Sequence, residues 1–198
     1  DETVAWVEHA DSEVVGNDLF AIDAITASDI WSVGATGKVL HYDGTNWSEF
    51  SDVGTTLQSV DMVSASDGWA VGSSGKFFHY NGTSWSELFD LGGSVINNVS
   101  MISSTDGWAV GSSGKFYHYN GASWSEVTDL GASAVNGLSV LSSSDIWAVG
   151  ASGKFYHYNG ISWSEFTDIG ATGLNDVMML SASEGWVVGN GGAIYQYN

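Results

Sequence analysis

An all-β chain of five repeated units, each made of four short antiparallel strands, is the fold this sequence predicts. Three observations predict it. The segment Asp106-Gly-Trp-Ala-Val-Gly-Ser-Ser-Gly-Lys-Phe-Tyr-His-Tyr-Asn-Gly-Ala-Ser-Trp-Ser-Glu126 recurs almost verbatim one period earlier and one later. Leading tryptophans at Trp31, Trp69, Trp108, Trp147 and Trp186 stand 38 or 39 residues apart. A second tryptophan follows sixteen residues after each of the first four, at Trp47, Trp85, Trp124 and Trp163. A fixed period of this size marks an array whose neighbouring units share a core. The fifth copy ends at Asn198 before its second tryptophan, and that residue stands at the opposite terminus as Trp6 in Thr3-Val-Ala-Trp-Val-Glu8. An open solenoid has no use for such circular completion and carries polar caps instead. A closed ring needs it. The expectation is a single five-bladed β-propeller over residues 1–198, with residues 1–8 completing the fifth blade together with 174–198.

Each strand follows from local patterning. Glycine recurs too often for helices, and no 3.6-residue apolar period is sustained. In the third unit, residues 95–103 form the first strand and a Ser-Ser-Thr-Asp-Gly segment turns the chain. Residues 108–111 form the second strand, Ser112-Ser-Gly114 the next turn, and residues 115–119 the third strand. Asn120-Gly121 is a hairpin signal whose twist suits paired strands, and residues 123–127 form the fourth strand. The middle strands, Trp-Ala-Val and Phe-Tyr-His-Tyr, carry bulky groups on both faces, as strands sandwiched between neighbouring sheets do. The fourth, Trp-Ser-Glu-Val, alternates like an outer strand open to water on one side. Four such strands per unit make a propeller blade, and full repetition leaves only short edges exposed.

Composition narrows the function. The 198 residues are 43% apolar, enough to bury a core, but only 14% charged, with 23 acidic and four basic side chains and a net charge of −19. Binding nucleic acid by neutralising its phosphates is excluded as a primary role, and docking on an anionic membrane is disfavoured. The absence of cysteine removes disulfides, thiolate catalysis and Cys-ligated zinc. No apolar run reaches the roughly 18 residues of a membrane helix. The chain opens without methionine or a leader pattern, so a processed chain or a segment of a larger one is expected.

The unit Gly-Trp-Ala-Val-Gly-x-x-Gly-Lys-x-x-His-Tyr-Asn-Gly-x-x-Trp resembles the repeats of bacterial neuraminidase-type and photosystem-assembly-type propellers. It departs from the Asp-box of the former, Ser-x-Asp-x-Gly-x-x-Trp. Tyr42-Asp-Gly-Thr-Asn-Trp47 has one residue fewer between Asp and Trp, and the other units carry Asn in place of Asp. In that family the box is a folding device, so the resemblance implies a propeller fold and transfers no activity. Five near-identical blades are also similar in architecture to tachylectin-type lectins, whose own motif this chain lacks.

Polar residues fall in columns. Asp29, Asp67, Asp106, Asp145 and Glu184 precede each leading Trp by two positions and read as caps on the first hairpin. Glu8, Glu49, Glu87, Glu126 and Glu165 follow the second Trp by two and read as solvated charges that block edge-to-edge pairing. Asp11, Asp52, Asp90, Asp129 and Asp168 lie three further on. The four cations, Lys38, Lys76, Lys115 and Lys154, all follow Ser/Thr-Gly. In a propeller the second-to-third turn and the fourth-to-first connection share a face, which brings these lysines toward Asp52, Asp90, Asp129 and Asp168. Those eight residues are the candidate ligand-binding set, a repeated polar pocket for a hydroxyl-rich ligand. An exposed ion pair is the plainer reading. His41, His79, His118 and His157 face the leading Trp across the sheet as structural, hydrogen-bonded groups, with Gln196 in the fifth place. No spacing supports catalysis or a metal site. Asp11-Ser-Glu13 in the elongated acidic connection is a weak calcium candidate lacking the Asp-rich loop pattern; no cofactor is expected.

Repetition favours a non-enzymatic, multivalent binding or scaffold module, with weak glycan binding by avidity as its ligand reading. A protein surface is the other partner class, and a monomer outside the cell is expected. A glycosidase-like propeller enzyme is the alternative. It needs unlike carboxylates around the centre, and the inner strands offer Asp23, Asp61 and Asp176. A third reading is a recently amplified or engineered repeat with no ligand.

Overall fold

The fold was taken from a computed structural model that describes residues 17–131, 133–170 and 172–198. Blade one holds β1 (Leu19–Thr26), β2 (Asp29–Gly34), β3 (Lys38–Tyr42) and β4 (Trp47–Asp52). Blade two holds β5 (Leu57–Ser64), β6 (Asp67–Gly72), β7 (Lys76–Tyr80) and β8 (Trp85–Asp90). In blade three, β9 (Ile96–Ser103), β10 (Asp106–Gly111), β11 (Lys115–Tyr119) and β12 (Trp124–Asp129) follow the same order. Blade four comprises β13 (Val135–Ser142), β14 (Asp145–Gly150), β15 (Lys154–Tyr158) and β16 (Trp163–Asp168). Blade five has β17 (Leu174–Ser181), β18 (Glu184–Gly189) and β19 (Ala193–Tyr197). Each blade is an antiparallel meander with its strands in chain order, which makes the protein a five-bladed β-propeller. The expected strand of residues 1–8 lies outside the described residues.

Two turns differ from the sequence reading. Four residues, not two, join the third and fourth strands, and Asn120 Oδ1 accepts hydrogen bonds from the Ala122 and Ser123 amides. Asp43 does the same for Thr45 and Asn46, which holds its carboxyl below the usual range. The box residue is thus a turn device with either side chain. The first hairpin is capped not by the Asp column but by hydroxyls, as where the Ser66 amide donates to Ser64 Oγ.

First strands neighbour one another in succession, so they line the centre. Polar side chains there staple blade to blade: the Met62 amide donates to Asp23 Oδ2 and the Met101 amide to Asp61 Oδ2, each at 2.7 Å. Ser139 Oγ accepts from the Met179 amide at 2.9 Å. Asn97 and Asn136 donate through Nδ2 to the carbonyls of Val135 and Leu174.

Apolar packing between blades supplies the cohesion. Trp124 of blade three stacks on Phe77 of blade two at 4.5 Å, meets Trp69 of blade two edge-on at 5.6 Å, and stacks on its own Tyr119 at 5.4 Å. Trp163 repeats this against Phe116, Trp108 and Tyr158, and Trp85 against Trp31 and Tyr80. Four core clusters result, one at each junction from blades one and two to blades four and five. Among the described residues none joins blade five to blade one. Trp186 is accordingly 43% exposed, while the other leading tryptophans are at most 5% exposed.

Glycine is required where the second-to-third corner meets the fourth-to-first connection. Gly114 has φ +69°, and a Cβ on it would stand 2.2 Å from the Gly131 carbonyl oxygen. Leu130 donates its amide to the Gly114 carbonyl at 3.0 Å, so the two segments are locked together. Truncating a buried aromatic typically costs about 3–5 kcal/mol. Trp124→Ala, with Trp124 only 2% exposed, is expected to lose that much, and the half-buried Trp47→Ala clearly less. Gly114→Ala is expected to be destabilising as well. Urea unfolding of the three variants checks this order.

Candidate functional site

The third and fourth strands of blades one to four present the candidate residues. The register sets Lys38 opposite Asp52, Lys76 opposite Asp90, Lys115 opposite Asp129 and Lys154 opposite Asp168. Each expected Lys–Asp pair is therefore brought together across one hairpin of a single blade. The glutamate column joins them. Lys38, Lys76, Lys115 and Lys154 bond Glu49, Glu87, Glu126 and Glu165 at 2.6–2.9 Å, where the sequence reading expected solvated charges. A β-bulge brings this about. Phe116 faces Thr128 while Tyr117 faces Glu126, so Val127 is skipped. Without that extra residue, Glu126 and Asp129 would point to opposite faces of the strand. With it, both lie on the lysine's face.

The aspartates divide their work. Lys38 also reaches Asp52 Oδ2 at 2.9 Å, and Lys154 reaches Asp168 Oδ2 at 3.1 Å. In every blade from one to four the other oxygen accepts an amide of the following turn, at Gly54, Gly92, Gly131 and Gly170. The Lys38 ammonium, then the Gly54 amide, hold the Asp52 carboxyl below its usual range; for Asp168 the Gly170 amide comes first and Lys154 second. All four lysines are held above their usual range, Lys38 chiefly by Asp52, and Lys76, Lys115 and Lys154 chiefly by their glutamates. The result is a Lys–Glu–Asp cluster on each of four blades, with its carboxylates still half-open to water. Blade five has Ala193 at the lysine position.

The histidines sit as expected opposite the leading tryptophans: Trp31 pairs with His41, Trp69 with His79, Trp108 with His118, Trp147 with His157, and Trp186 with Gln196. Their partners are the acids of the first column. His41, His79, His118 and His157 bond through Nε2 to Asp29, Asp67, Asp106 and Asp145 at 2.8–2.9 Å. The indole N–H groups of Trp31 and Trp147 donate to Asp29 and Asp145 as well. These acids are core anchors, a role hidden from the sequence because backbone register sets each His opposite the Trp, and only side-chain geometry carries its Nε2 to the acid two residues before that Trp. Among the described residues the buried N–H groups of Trp69, Trp85, Trp124 and Trp163 have no hydrogen-bond partner.

Two features break the repetition. Phe50 and Phe166 cover Trp31 and Trp147 at 4.8 and 4.9 Å, but blade three has Val127 in that place. A groove of about 250 Å³ opens there between blades three and four, with Trp108, Val127, Tyr158 and Trp163 beside the polar Thr128 and Ser162 in its lining. A cavity of about 160 Å³ lies between blades four and five. Of the inner acids, Asp23 and Asp61 face Trp31 and Trp69 in equivalent register, whereas Asp176 faces Val188 two positions away. Among the described residues no cluster of three or more His, Asp or Glu side chains is arranged to hold a metal. Asp11-Ser-Glu13 lies outside them.

No protein-family model matches the chain, and no curated protein does. Its fold is similar to solved structures. YCF48 from Cyanidioschyzon merolae superposes with a TM-score of 0.72 at 14% identity, over 94% of this chain and 71% of that one. A structure titled YCF48 bound to D1 peptide gives 0.71 at 16% identity, over 92% and 65%. The computationally designed Ika8 protein gives 0.72 at 14% identity, over 91% and 58%. This chain thus spans between about half and three quarters of the length of these structures. The likeness to photosystem-assembly-type propellers seen in the repeats returns in the fold.

Burial pushes the Asp61 carboxyl up to about 6, with the Asp23 charge adding to the shift and the Met101 amide opposing it. Because this value lies above the unfolded one, the stability tied to the protonated form is full below about 4. It is lost as pH rises through about 6, a span of up to roughly 3 kcal/mol. Asp61→Ser keeps an acceptor for Met101, as Ser139 does for Met179. It is expected to be more stable than the parent at pH 7 and to lose that advantage at pH 4. Urea titrations at the two pH values measure the difference.

Proposed function

We propose that the protein is a non-enzymatic, multivalent binding module, a single propeller unit acting as a monomer outside the cell. The observation that carries this reading is the fourfold recurrence of one Lys–Glu–Asp cluster in the same register. Each cluster offers a fixed ammonium, a glutamate and an aspartate pre-set by a backbone amide. Such groups suit a hydroxyl-rich ligand, which makes glycans the ligand class. Single weak sites of this kind gain through avidity when a branched ligand engages several at once. Blade five, with Ala193 in the lysine place, takes no part.

A second reading is favoured by the groove at Val127. Its lining, in which His118, Thr128 and Ser162 stand among aromatic and apolar groups, fits a side chain of a protein segment, and one neighbour of similar fold is titled as bound to a peptide. Val127→Phe, which copies blades one and four, fills that groove and abolishes binding of this kind.

A glycan array followed by calorimetric titration tests the leading reading. The expected stoichiometry is four equivalent sites, one for each cluster. Lys115→Ala is expected to remove one site and leave the others at unchanged affinity, since separated sites act independently. Five equivalent sites, or a single central one, would show that the lysine column is only a surface feature. Peptide binding that Val127→Phe abolishes would favour the second reading.

A further inference from the structure

Blade three lacks a ring that blades one, two and four possess. Phe50 stands over Trp31 at 4.8 Å, Phe89 over Trp69 at 6.1 Å and Phe166 over Trp147 at 4.9 Å. Blade three carries Val127 and Thr128 at the positions of Phe50 and Phe89, and neither is aromatic. The rings beneath keep the same arrangement. Trp31 meets Tyr80 of the next blade at 4.8 Å, and Trp108 meets Tyr158 at 4.7 Å. Phe50 also meets His41 at 6.2 Å and Tyr80 at 5.6 Å, each edge-on. Their counterparts, His118 and Tyr158, line the open groove instead. Tyr80 is 5% exposed beneath Phe50, whereas Tyr158 is only half-buried. A second departure from the repeat falls at the same place. Ile161 replaces the Thr45, Thr83 and Ala122 of blades one to three and stands 87% exposed in the lining of the groove. Asn159 Oδ1 accepts hydrogen bonds from the Ile161 and Ser162 amides, so the turn holds that side chain in a fixed place.

We propose that the groove at Val127 receives one phenylalanine side chain of a partner protein, carried on a positively charged segment; this rests on the reading of the groove as a peptide-binding place. The ring takes the position that Phe50 and Phe166 hold in their own blades, edge-on to Trp108, His118 and Tyr158, with Ile161 as an apolar contact. The groove offers about 250 Å³. A cavity of about 150 Å³ already accepts a benzene-sized ring. Edge-to-face aromatic pairs attract beyond their area burial, so this floor prefers a phenyl ring to an aliphatic group of equal size. Charge sets the rest of the segment. The chain carries a net charge of −19, and Lys115 and Lys154, the cations of the two flanking blades, are already bonded to Glu126 and Glu165. His118 is bonded to Asp106. Lysine or arginine on either side of the partner's phenylalanine is therefore attracted, and an acidic segment is repelled.

Peptides of the form acetyl-Gly-Lys-X-Lys-Gly-amide, with X phenylalanine, cyclohexylalanine or alanine, test this by NMR titration of the full chain. The methyl groups of Val127 and Ile161 are the reporters, because a phenyl ring seated beside them shifts their signals through its ring current. The phenylalanine peptide is expected to give a saturable ring-current shift. Cyclohexylalanine is expected to bind about two- to tenfold more weakly, and alanine at least about tenfold more weakly. Exchanging both peptide lysines for glutamate is expected to weaken binding several-fold, by a factor that shrinks at high salt. Val127→Phe and Thr128→Phe set a ring in the groove as blades four and two do. Each is expected to abolish the shift at Ile161, with melting temperatures showing that the variants are folded. Equal affinity for the cyclohexylalanine peptide or for the glutamate-flanked one, lost in either filled variant, overturns this proposal and leaves the groove a peptide site. No saturable shift with the phenylalanine peptide, or a shift that survives in both filled variants, overturns the proposal and the groove reading together.

Discussion

The contact on which the rest of this propeller depends joins one blade's fourth strand to the previous blade's middle strands. A tryptophan there lies between a tyrosine of its own blade and the leading tryptophan of its neighbour, joined at Trp124 and Trp163 by a phenylalanine. In Trp124 one side chain thus touches Trp69 and Phe77 on one side and Tyr119 on the other. A single blade cannot bury its leading tryptophan by itself. Stability therefore resides in the junctions, as in other arrays where each unit contacts only its neighbours. At the two ends of the described array, apolar side chains remain open, Phe20 and Ile22 on β1 and Trp186 and Ile194 in blade five.

Polar groups complete the frame without supplying most of its cohesion. The acids before the leading tryptophans are tied to the histidines and fix the orientation of those rings. The acids and hydroxyls of the inner strands accept amides of the next blade, which sets the rotation between neighbours. Asp61 does so at a cost near neutral pH, because it is buried beside a second carboxylate. Ser139 performs the same task without charge. With 23 acidic side chains and four basic ones, the lysine clusters are the places where cations interrupt a negative surface.

Repetition and its interruptions carry different functional content. Four equal clusters suit a ligand that is itself repetitive, since weak equal sites add through avidity. The groove at Val127 is a single place created by a smaller side chain, and a single place suits a single protrusion of a partner. Two properties of one surface thus lead to two ligand classes, and each can be altered without disturbing the other.

Much of this was legible in the sequence because it depends on short-range register. The 39-residue period, the strands of each blade, the Trp–His facing pairs and the Lys–Asp facing pairs all follow from hairpins whose partners lie within about twenty residues of each other. What the structure decided depends on bulges, side-chain geometry and packing that alternation and simple register do not encode. The bulge at Val127 placed Glu126 beside Lys115, although alternation alone assigns Glu126 and Asp129 to opposite faces. Asp106 found His118 rather than a turn amide, because the hairpin brings their side chains together at 2.8 Å. The cavity between blades four and five and the Val127 groove arise between blades. Their volumes are set by sheet twist and by which side chain the neighbouring blade presents, and both exist only once two blades have packed.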